Sequence, residues 1–216
     1  MAILEEIALT VQKGRAKNTE ALVQQALDEG ISAKEILEQG LLRGMSVIGQ
    51  LFRENEVYVP EVMVAARAMN KGAALLKPYL ASEGVRTTGK VCLGTVKGDL
   101  HDIGKNLVKI MMEGKGLTVI DLGTDVEAER FVQTAIDEDC QIIACSALLT
   151  TTMGVMQEVV EAAKAAGIRD KVKIMIGGAP VTQVFCDQIG ADAYTADAAS
   201  AAEKAAEFLR EMQEAG

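Results

Sequence analysis

The chain has no tryptophan, only 3% aromatic residues and a single histidine, His101, among its 216 residues. One histidine by itself cannot form a protein-built metal site, which needs three or four ligands. Four cysteines lie in or beside apolar segments without Cys-x-x-Cys spacing, namely Cys92, Cys140, Cys145 and Cys186. This pattern predicts small buried thiols in a reducing compartment, and no disulfides are expected.

Basic residues are also scarce, since 22 Lys and Arg stand against 31 Asp and Glu, and the formal net charge is −9. Nucleic-acid binding needs clustered cations that displace counterions from phosphates, so no nucleic-acid partner is expected. No apolar run approaches the roughly 20 residues of a membrane span, and the first residues lack the pattern of a signal peptide. We therefore expect a cytoplasmic protein with no membrane partner.

Apolar residues recur at helical spacing through the first part of the chain and predict a four-helix bundle. Ser32 and Glu35 have the spacing of a capping box before a long apolar stripe. Pro60 suits the first turn of the fourth helix, because its missing N–H would have no helical partner there. The sequence therefore predicts a helical domain over residues 1–80.

Residues 81–90 show no periodicity, which is typical of a linker. Over residues 91–216 short apolar runs alternate with amphipathic helical stretches, the pattern of a parallel sheet covered on both faces. Strands are predicted at 90–95, 117–121, 141–146, 172–176 and 191–194. Helices are predicted to begin near Asp102, Glu127, Thr151, Val181 and Ala198.

The predicted fold class is α/β, with the N-terminal four-helix bundle followed by a flavodoxin-like, doubly wound, five-stranded parallel sheet of strand order 2-1-3-4-5. Ligands of such sheets bind beyond the carboxyl ends of strands 1 and 3. His101 follows the first of these strands and Ser146 ends the other. A neutral imidazole is a good metal ligand, and a carboxylate such as Asp99 can accept its second N–H. The remaining donors could come from a macrocycle, which brings four nitrogens of its own.

Other ligands of this fold lack their required residues here. A phosphate-accepting receiver domain needs an aspartate at the end of the third strand, where Ala144, Cys145 and Ser146 stand. A flavin mononucleotide site needs a loop of hydroxyl and glycine residues after the first strand, where Asp99 would repel phosphate. The glycines also lack Gly-x-Gly-x-x-Gly spacing. The His-Asp pair at 101–102 looks like that of the His-Asp phosphohydrolases, which need several further histidines.

Seven residues follow three of the predicted strands as a three-part motif. They are Asp99, His101 and Gly104, then Ser146 and Leu148, then Gly177 and Gly178. In order and strand placement the motif resembles the signature of the corrinoid (cobalamin-binding) proteins. The helical domain ahead of it extends the resemblance to the whole chain. It is similar to the small corrinoid proteins of the methylamine, methanol, methoxylated-aromatic and glycine-betaine methyltransferase systems.

This resemblance implies that residues 91–216 form a cobalamin-binding, Rossmann-like domain. His101 is implied to bind cobalt in place of the cofactor's own benzimidazole, while Asp99 holds the second ring N–H and Ser146 extends that relay. Gly104 is implied to let the macrocycle approach the backbone closely. The whole motif is the predicted cofactor-binding site, and His101 is its predicted metal ligand.

The resemblance also implies a slot for the displaced nucleotide tail at Gly177 and Gly178. The helical domain is implied to cap the upper face of the corrinoid and to swing aside on the linker. Contacts of this cap are predicted on the fourth helix, at Met63, Val64, Ala66 and Met69.

The function implied by the resemblance is a non-catalytic methyl carrier. Cobalt(I) of cobalamin or a related corrinoid accepts a methyl group, with methylcobalamin as the intermediate. The implied partners are a substrate-specific methyltransferase, a second methyltransferase serving tetrahydrofolate or coenzyme M, and a reductive activation protein. The alternative is a cobalamin-sensing regulatory module, because light sensors resemble the carriers in both domains. Partner-dependent methyl transfer in solution separates the two functions.

Overall fold

A computed structural model describes residues 2–82 and 89–214 of the chain. Its first part is helical. The elements are α1 (Ala2–Gln12), α2 (Ala16–Asp28), α3 (Ala33–Glu35), a π-helical segment (Ile36–Leu42), α4 (Arg43–Arg53) and α5 (Val59–Ser82). Because α3, the π-helical segment and α4 follow one another without a break, they form one helical stretch. The predicted four helices are therefore confirmed.

Local signals in the sequence determine where these helices begin. The backbone N–H of Glu35 donates to Ser32 Oγ at 3.2 Å, which caps α3 as the spacing of the two residues predicts. Pro60 is the second residue of α5. The apolar stripes of the helices face one another, and their largest fully buried side chains are Ile7, Ile36, Leu41, Met45 and Leu76.

The second part alternates strands and helices. The elements are β1 (Lys90–Val96), α6 (Ile103–Glu113), β2 (Thr118–Val126), α7 (Ala128–Asp137), β3 (Ile142–Ser146), α8 (Gly154–Ala165), β4 (Lys173–Gly177), α9 (Gln183–Ile189), β5 (Ala193–Tyr194) and α10 (Ala198–Glu214). The strands form one parallel sheet in the order β2-β1-β3-β4-β5. The predicted fold and strand order are confirmed, and the carboxyl ends of β1 and β3 lie side by side.

Strand β2 differs most from its prediction, because it continues to Val126 instead of ending at Asp121. The glycine and aspartates of this extension resemble a loop in sequence, and Gly123 and Asp125 both have positive φ. Irregularities in the pairing absorb these residues, so that β1 and β2 remain paired up to Val96 and Val126. The extension brings Asp125 to the carboxyl edge of the sheet.

The described residues form two compact units. One contains residues 2–82 with 114–116, and the other contains 89–113 with 117–214. Most of the predicted linker falls on residues 83–88, which lie outside the described residues, while Ser82 still belongs to α5 and Lys90 already belongs to β1. No helix in the described part of the chain is long and apolar enough to cross a membrane.

Candidate functional site at His101

His101 lies in the loop between β1 and α6. The loop turns sharply at Gly98, which has a left-handed φ of 81°, and the N–H of Asp99 donates to the carbonyl of Val96 at 3.1 Å. The fully buried Thr95 donates from Oγ1 to the carbonyl of His101 at 2.9 Å. This hydrogen bond fixes the backbone of His101 to the carboxyl-terminal end of β1.

The imidazole of His101 is held by one carboxylate oxygen. Its Nδ1 lies 2.7 Å from Asp99 Oδ1, and the backbone N–H of His101 donates to the same oxygen at 3.1 Å. With an ionised Asp99 as acceptor, the ring proton of the neutral imidazole lies on Nδ1. Nε2, which no residue of the described ranges hydrogen-bonds, then carries a lone pair. The side chain is 52% exposed, so a ligand can reach it from solvent.

Asp99 is completely buried and accepts hydrogen bonds on both oxygens. Its Oδ2 accepts from the backbone N–H groups of Leu148 and Leu149 at 2.7 and 3.1 Å, and Thr152 Oγ1 lies 3.1 Å from it. Burial alone would raise the pKa of this carboxyl, but the bonds from His101, Leu148 and Leu149 outweigh it and hold the pKa well below its usual range. Asp99 is therefore ionised at neutral pH.

The hydroxyl group that contacts Asp99 belongs to Thr152 and not to Ser146. The predicted relay through Ser146 is therefore wrong for this structure. Ser146 is the last residue of β3 and pairs with Thr95 and Gly177 of the neighbouring strands. The side chain of Thr152 comes from the turn after β3, where the run of three threonines at 150–152 was the only signal in the sequence.

Exposed leucine and isoleucine side chains accompany the imidazole. We define the apolar collar as Leu100, Ile103, Leu148 and Leu149, whose exposed fractions run from 39% at Leu149 to 75% at Ile103. Leu100 precedes His101 in its loop and Ile103 begins α6, whereas Leu148 and Leu149 donate their N–H groups to Asp99. Large apolar side chains left in water beside a polar site are candidates for contacts with a ligand.

The three predicted glycines differ in what they permit. A Cβ at Gly104 would meet no atom within 4 Å, so the start of α6 is open to a bulky ligand. At Gly178, where φ is 134°, a Cβ would lie 1.8 Å from the carbonyl oxygen of Ala147. A Cβ at Gly177 would make an ordinary 3.6 Å contact with the Thr195 carbonyl. Gly178 is thus required by packing, whereas Gly104 leaves a space unfilled.

The structure brings Asp99, His101 and Leu148 together through hydrogen bonds, and it places Gly104 as the second residue of the following helix, α6. No three His, Cys, Asp or Glu side chains within residues 2–82 and 89–214 form a group that could hold a metal ion. A metal on His101 would therefore take its other donors from outside these residues. On α5, Met63 and Val64 are exposed, whereas Ala66 and Met69 are buried, and their role as cap contacts stays a prediction.

Comparisons with known proteins show similarity to B12-binding domains and corrinoid proteins. Residues 89–206 match a family model described as a B12 binding domain, and residues 3–77 match a second model with the same description. A corrinoid protein of Desulfitobacterium hafniense is 41% identical over 97% of this chain and 98% of its own length. Dimethylamine corrinoid protein 3 of Methanosarcina acetivorans is 40% identical over 96% of this chain and 97% of its own.

Among solved structures, the methanol:cobalamin methyltransferase complex MtaBC of Methanosarcina barkeri contains a similar chain. The TM-score is 0.87 at 31% identity, and the match covers 97% of this chain and 80% of that one. The similarity includes both the helical and the sheet-containing parts.

Proposed function

Since the chain belongs to the family of B12-binding corrinoid proteins, we propose that it carries a methyl group between two methyltransferases on the cobalt of a bound cobalamin or related corrinoid. The observation that carries the proposal is the state of His101. Its Nδ1 is held by a buried carboxylate, and its Nε2 is left as a lone-pair donor on a half-exposed ring.

The residues at this edge of the sheet fit a corrinoid. A macrocycle that brings four nitrogen donors of its own leaves room for one protein ligand on its metal, and the imidazole of His101 would be that ligand. The apolar collar offers exposed aliphatic surface on which a large ring can pack. The empty space beside Gly104 lets such a ring come close to the backbone. We propose Asp99, His101, Gly104, Ser146, Leu148, Gly177 and Gly178 as the cofactor-binding set.

When bound, the corrinoid supplies a cobalt ion that accepts a methyl group in its reduced state and releases it to an acceptor. The residues of the chain orient this chemistry. His101 would hold the metal through Nε2, because Asp99 keeps the ring proton on Nδ1 and so maintains the tautomer that can coordinate. Because the amides of Leu148 and Leu149 stabilise the negative charge of Asp99, that proton is not lost to the carboxylate. The apolar collar would provide aliphatic surface that is shielded from water when the ring is bound.

A carrier needs proteins that load and unload it. We propose a substrate-specific methyltransferase as the first partner, which the similarity to a chain of the methanol:cobalamin methyltransferase complex supports. A second methyltransferase, serving tetrahydrofolate or coenzyme M, and a reductive activation protein complete the proposed set. These two follow from the chemistry of a carrier that has to be unloaded and kept reduced.

The test uses the fact that the chain contains one histidine. Protein labelled with ¹⁵N-histidine and loaded with cob(II)alamin is examined by electron paramagnetic resonance. Because the benzimidazole of the cofactor is unlabelled, only coordination by His101 changes the multiplicity of the axial nitrogen coupling. We expect this change in the wild type and in the control Asp102→Ala, which alters an exposed carboxylate of the same loop. His101→Ala should keep the corrinoid and lose the labelled coupling.

An axial coupling that does not respond to the label would contradict coordination by His101. Methyl transfer from a methylated substrate to an acceptor, measured with and without each partner enzyme, tests the carrier function itself. A protein that binds the corrinoid through His101 but transfers no methyl group with any partner would support the regulatory alternative instead.

A further inference from the structure

Asp125 has an unusual backbone conformation for its position. Non-glycine residues with positive φ in the described part of the chain are Asn55, Asp125 and Asp139. Asn55 and Asp139 follow the ends of α4 and α7, where a left-handed residue commonly ends a helix. Asp125, with φ of 57°, lies inside strand β2. A left-handed aspartate within a strand persists only where surrounding contacts hold it, and such residues cluster at functional sites.

The contacts that hold Asp125 all go to the loop that carries His101. Its Oδ1 accepts the N–H of Gly98 at 2.7 Å, and its own N–H donates to the carbonyl of Asp99 at 3.0 Å. One residue thus binds two consecutive residues of the loop, through its side chain and its backbone. The left-handed conformation allows both groups to face the loop at once.

The loop is also held on its other side. Lys105, in the first turn of α6, is buried, and its Nζ lies 2.6 Å from Asp121 Oδ1 of β2. Asp121 also accepts the N–H of Gly123 at 3.0 Å and contacts Lys109 at 3.3 Å. Strand β2 therefore binds the chain on both sides of His101, at Gly98 and Asp99 before it and at Lys105 after it.

The contacts before and after His101 differ in how directly they affect the position of its imidazole. Lys105 anchors a helix that its own backbone hydrogen bonds already make rigid. Gly98 and Asp99 belong to an irregular turn, and a shift of Asp99 moves the oxygen that holds Nδ1 of His101. Supporting residues of this kind need to hold a ligand within about 0.5 Å of its productive position.

We propose that Asp125 is the positioning residue of this site, acting through Asp99 to set the orientation and tautomer of His101. The role in cofactor coordination rests on the function proposed above, whereas the effect on the loop does not. Asp125 touches neither the metal nor the substrate in this account. Its two bonds keep the turn at Gly98 closed, so that the carboxylate of Asp99 stays aligned with the imidazole.

The experiment compares three variants in the full chain without cofactor. Asp125→Gly keeps the left-handed conformation and the N–H but removes the carboxylate. Asp125→Asn keeps an acceptor oxygen on a residue that tolerates positive φ. Asp139→Gly is the matched control, because it alters a left-handed aspartate that lies at the end of α7. The readouts at fixed neutral pH are hydrogen exchange of the Gly98 amide and the ¹⁵N shifts of the two ring nitrogens of His101, the only imidazole in the spectrum.

In Asp125→Gly we expect about tenfold faster exchange of the Gly98 amide, since a bond to a charged acceptor is lost. The ring of His101 should show a mixture of tautomers instead of the Nδ1–H form alone. Asp125→Asn should restore most of both properties, and Asp139→Gly should match the wild type. Wild-type exchange and ring shifts in a folded Asp125→Gly protein would overturn the proposal. If that variant does not fold, Asp125→Ala, which also removes the carboxylate, is measured in the same way, and wild-type exchange and ring shifts there would overturn the proposal.

With cob(II)alamin bound, the fraction of cobalt coupled to labelled His101 should fall several-fold in Asp125→Gly and recover in Asp125→Asn. The two proposals fail in different ways. If the wild type itself shows no labelled coupling while the loop readouts respond as expected, coordination by His101 is refuted and the positioning role of Asp125 stands. If coupling is present in the wild type and unchanged in Asp125→Gly, the positioning role fails and coordination stands.

Discussion

Two aspartates at opposite edges of the same sheet, Asp99 fully buried and Asp192 partly buried, have different partners. Asp192, before β5 at the amino edge, contacts Arg169 at 2.9 Å and Lys173 at 3.8 Å, and it accepts the N–H of Ile174 at 2.7 Å. Asp99, after β1 at the carboxyl edge, has no lysine or arginine partner among the described residues. Its partners are backbone amides, a hydroxyl group and an imidazole.

The two carboxylates differ in what balances their charge: cations at Asp192, and uncharged hydrogen-bond donors at Asp99. At Asp192 the cations of Arg169 and Lys173 neutralise the carboxylate. These ion pairs, with the bond from the Ile174 N–H, link the residue before β5 to β4 and to the segment before β4. At Asp99 neutral donors stabilise the charge without cancelling it, so the carboxylate still controls where the proton of His101 lies. An uncancelled buried charge next to a half-exposed imidazole is therefore the more informative mark of a functional site.

The largest expected effect follows from Asp99→Asn. The new side chain accepts at one atom and donates at the other, so its amide N–H would face Nδ1 and move the ring proton of His101 to Nε2. We expect the axial coupling to His101 to disappear and the affinity for the corrinoid to fall by about 10- to 100-fold. Resonance spectra and equilibrium binding measure these changes. Full coupling in this variant would remove the distinction drawn between the two aspartates.

Asp192→Asn should have a smaller effect, confined to stability. Loss of the charge weakens the contacts with Arg169 and Lys173, and we expect the free energy of unfolding to fall by about 1–2 kcal/mol. The coupling of cobalt to His101 should equal that of the wild type. Urea denaturation and resonance spectra of the same sample check both expectations. A loss of coupling comparable to that of Asp99→Asn would show that the amino edge also controls the site.

The smallest effect is the pH dependence of stability in the protein without cofactor. The folded state depresses the pKa of Asp99. The ionised carboxylate therefore contributes fully to the free energy of unfolding above the unfolded pKa of roughly 3.9, and this contribution declines as the pH falls below that value. One such group changes the free energy of unfolding by at most about 1.4 kcal/mol per pH unit. In denaturation curves between acid and neutral pH, the stability of the wild type should show this added pH dependence and that of Asp99→Asn should lack it, whatever constant difference in stability separates the two proteins. Equal slopes would place the folded pKa of Asp99 near its ordinary value.

Much of the fold could be predicted from the sequence because its signals are local. Helical periodicity, the cap at Ser32 and the alternation of strands and helices led to the observed elements and to the strand order. The end of β2 was the main error. Gly123 and Asp125 carry turn signals, and only pairing with β1 shows that the strand absorbs them as irregularities.

The site was predictable in part. Asp99 and His101 are two residues apart, so the contact between them could be inferred from spacing. Thr152 lies 53 positions from Asp99, and Asp125 lies 27 positions from Gly98. Neither contact can be inferred from a periodic pattern or from the spacing of nearby residues in the sequence. The family resemblance implies a hydroxyl partner for Asp99 at Ser146, whereas the structure shows that this partner is Thr152.

The sequence by itself determined the class of the fold, the edge of the sheet that carries His101 and the identity of the one imidazole, because each depends on residue type and spacing along the chain. Only the tertiary structure decided which donors stabilise the charge of Asp99 and which residue of β2 holds the turn before His101. These contacts depend on which loops lie side by side at the carboxyl ends of neighbouring strands. Residues far apart in the sequence meet there, and hydrogen-bond geometry determines which of several chemically similar side chains makes the contact.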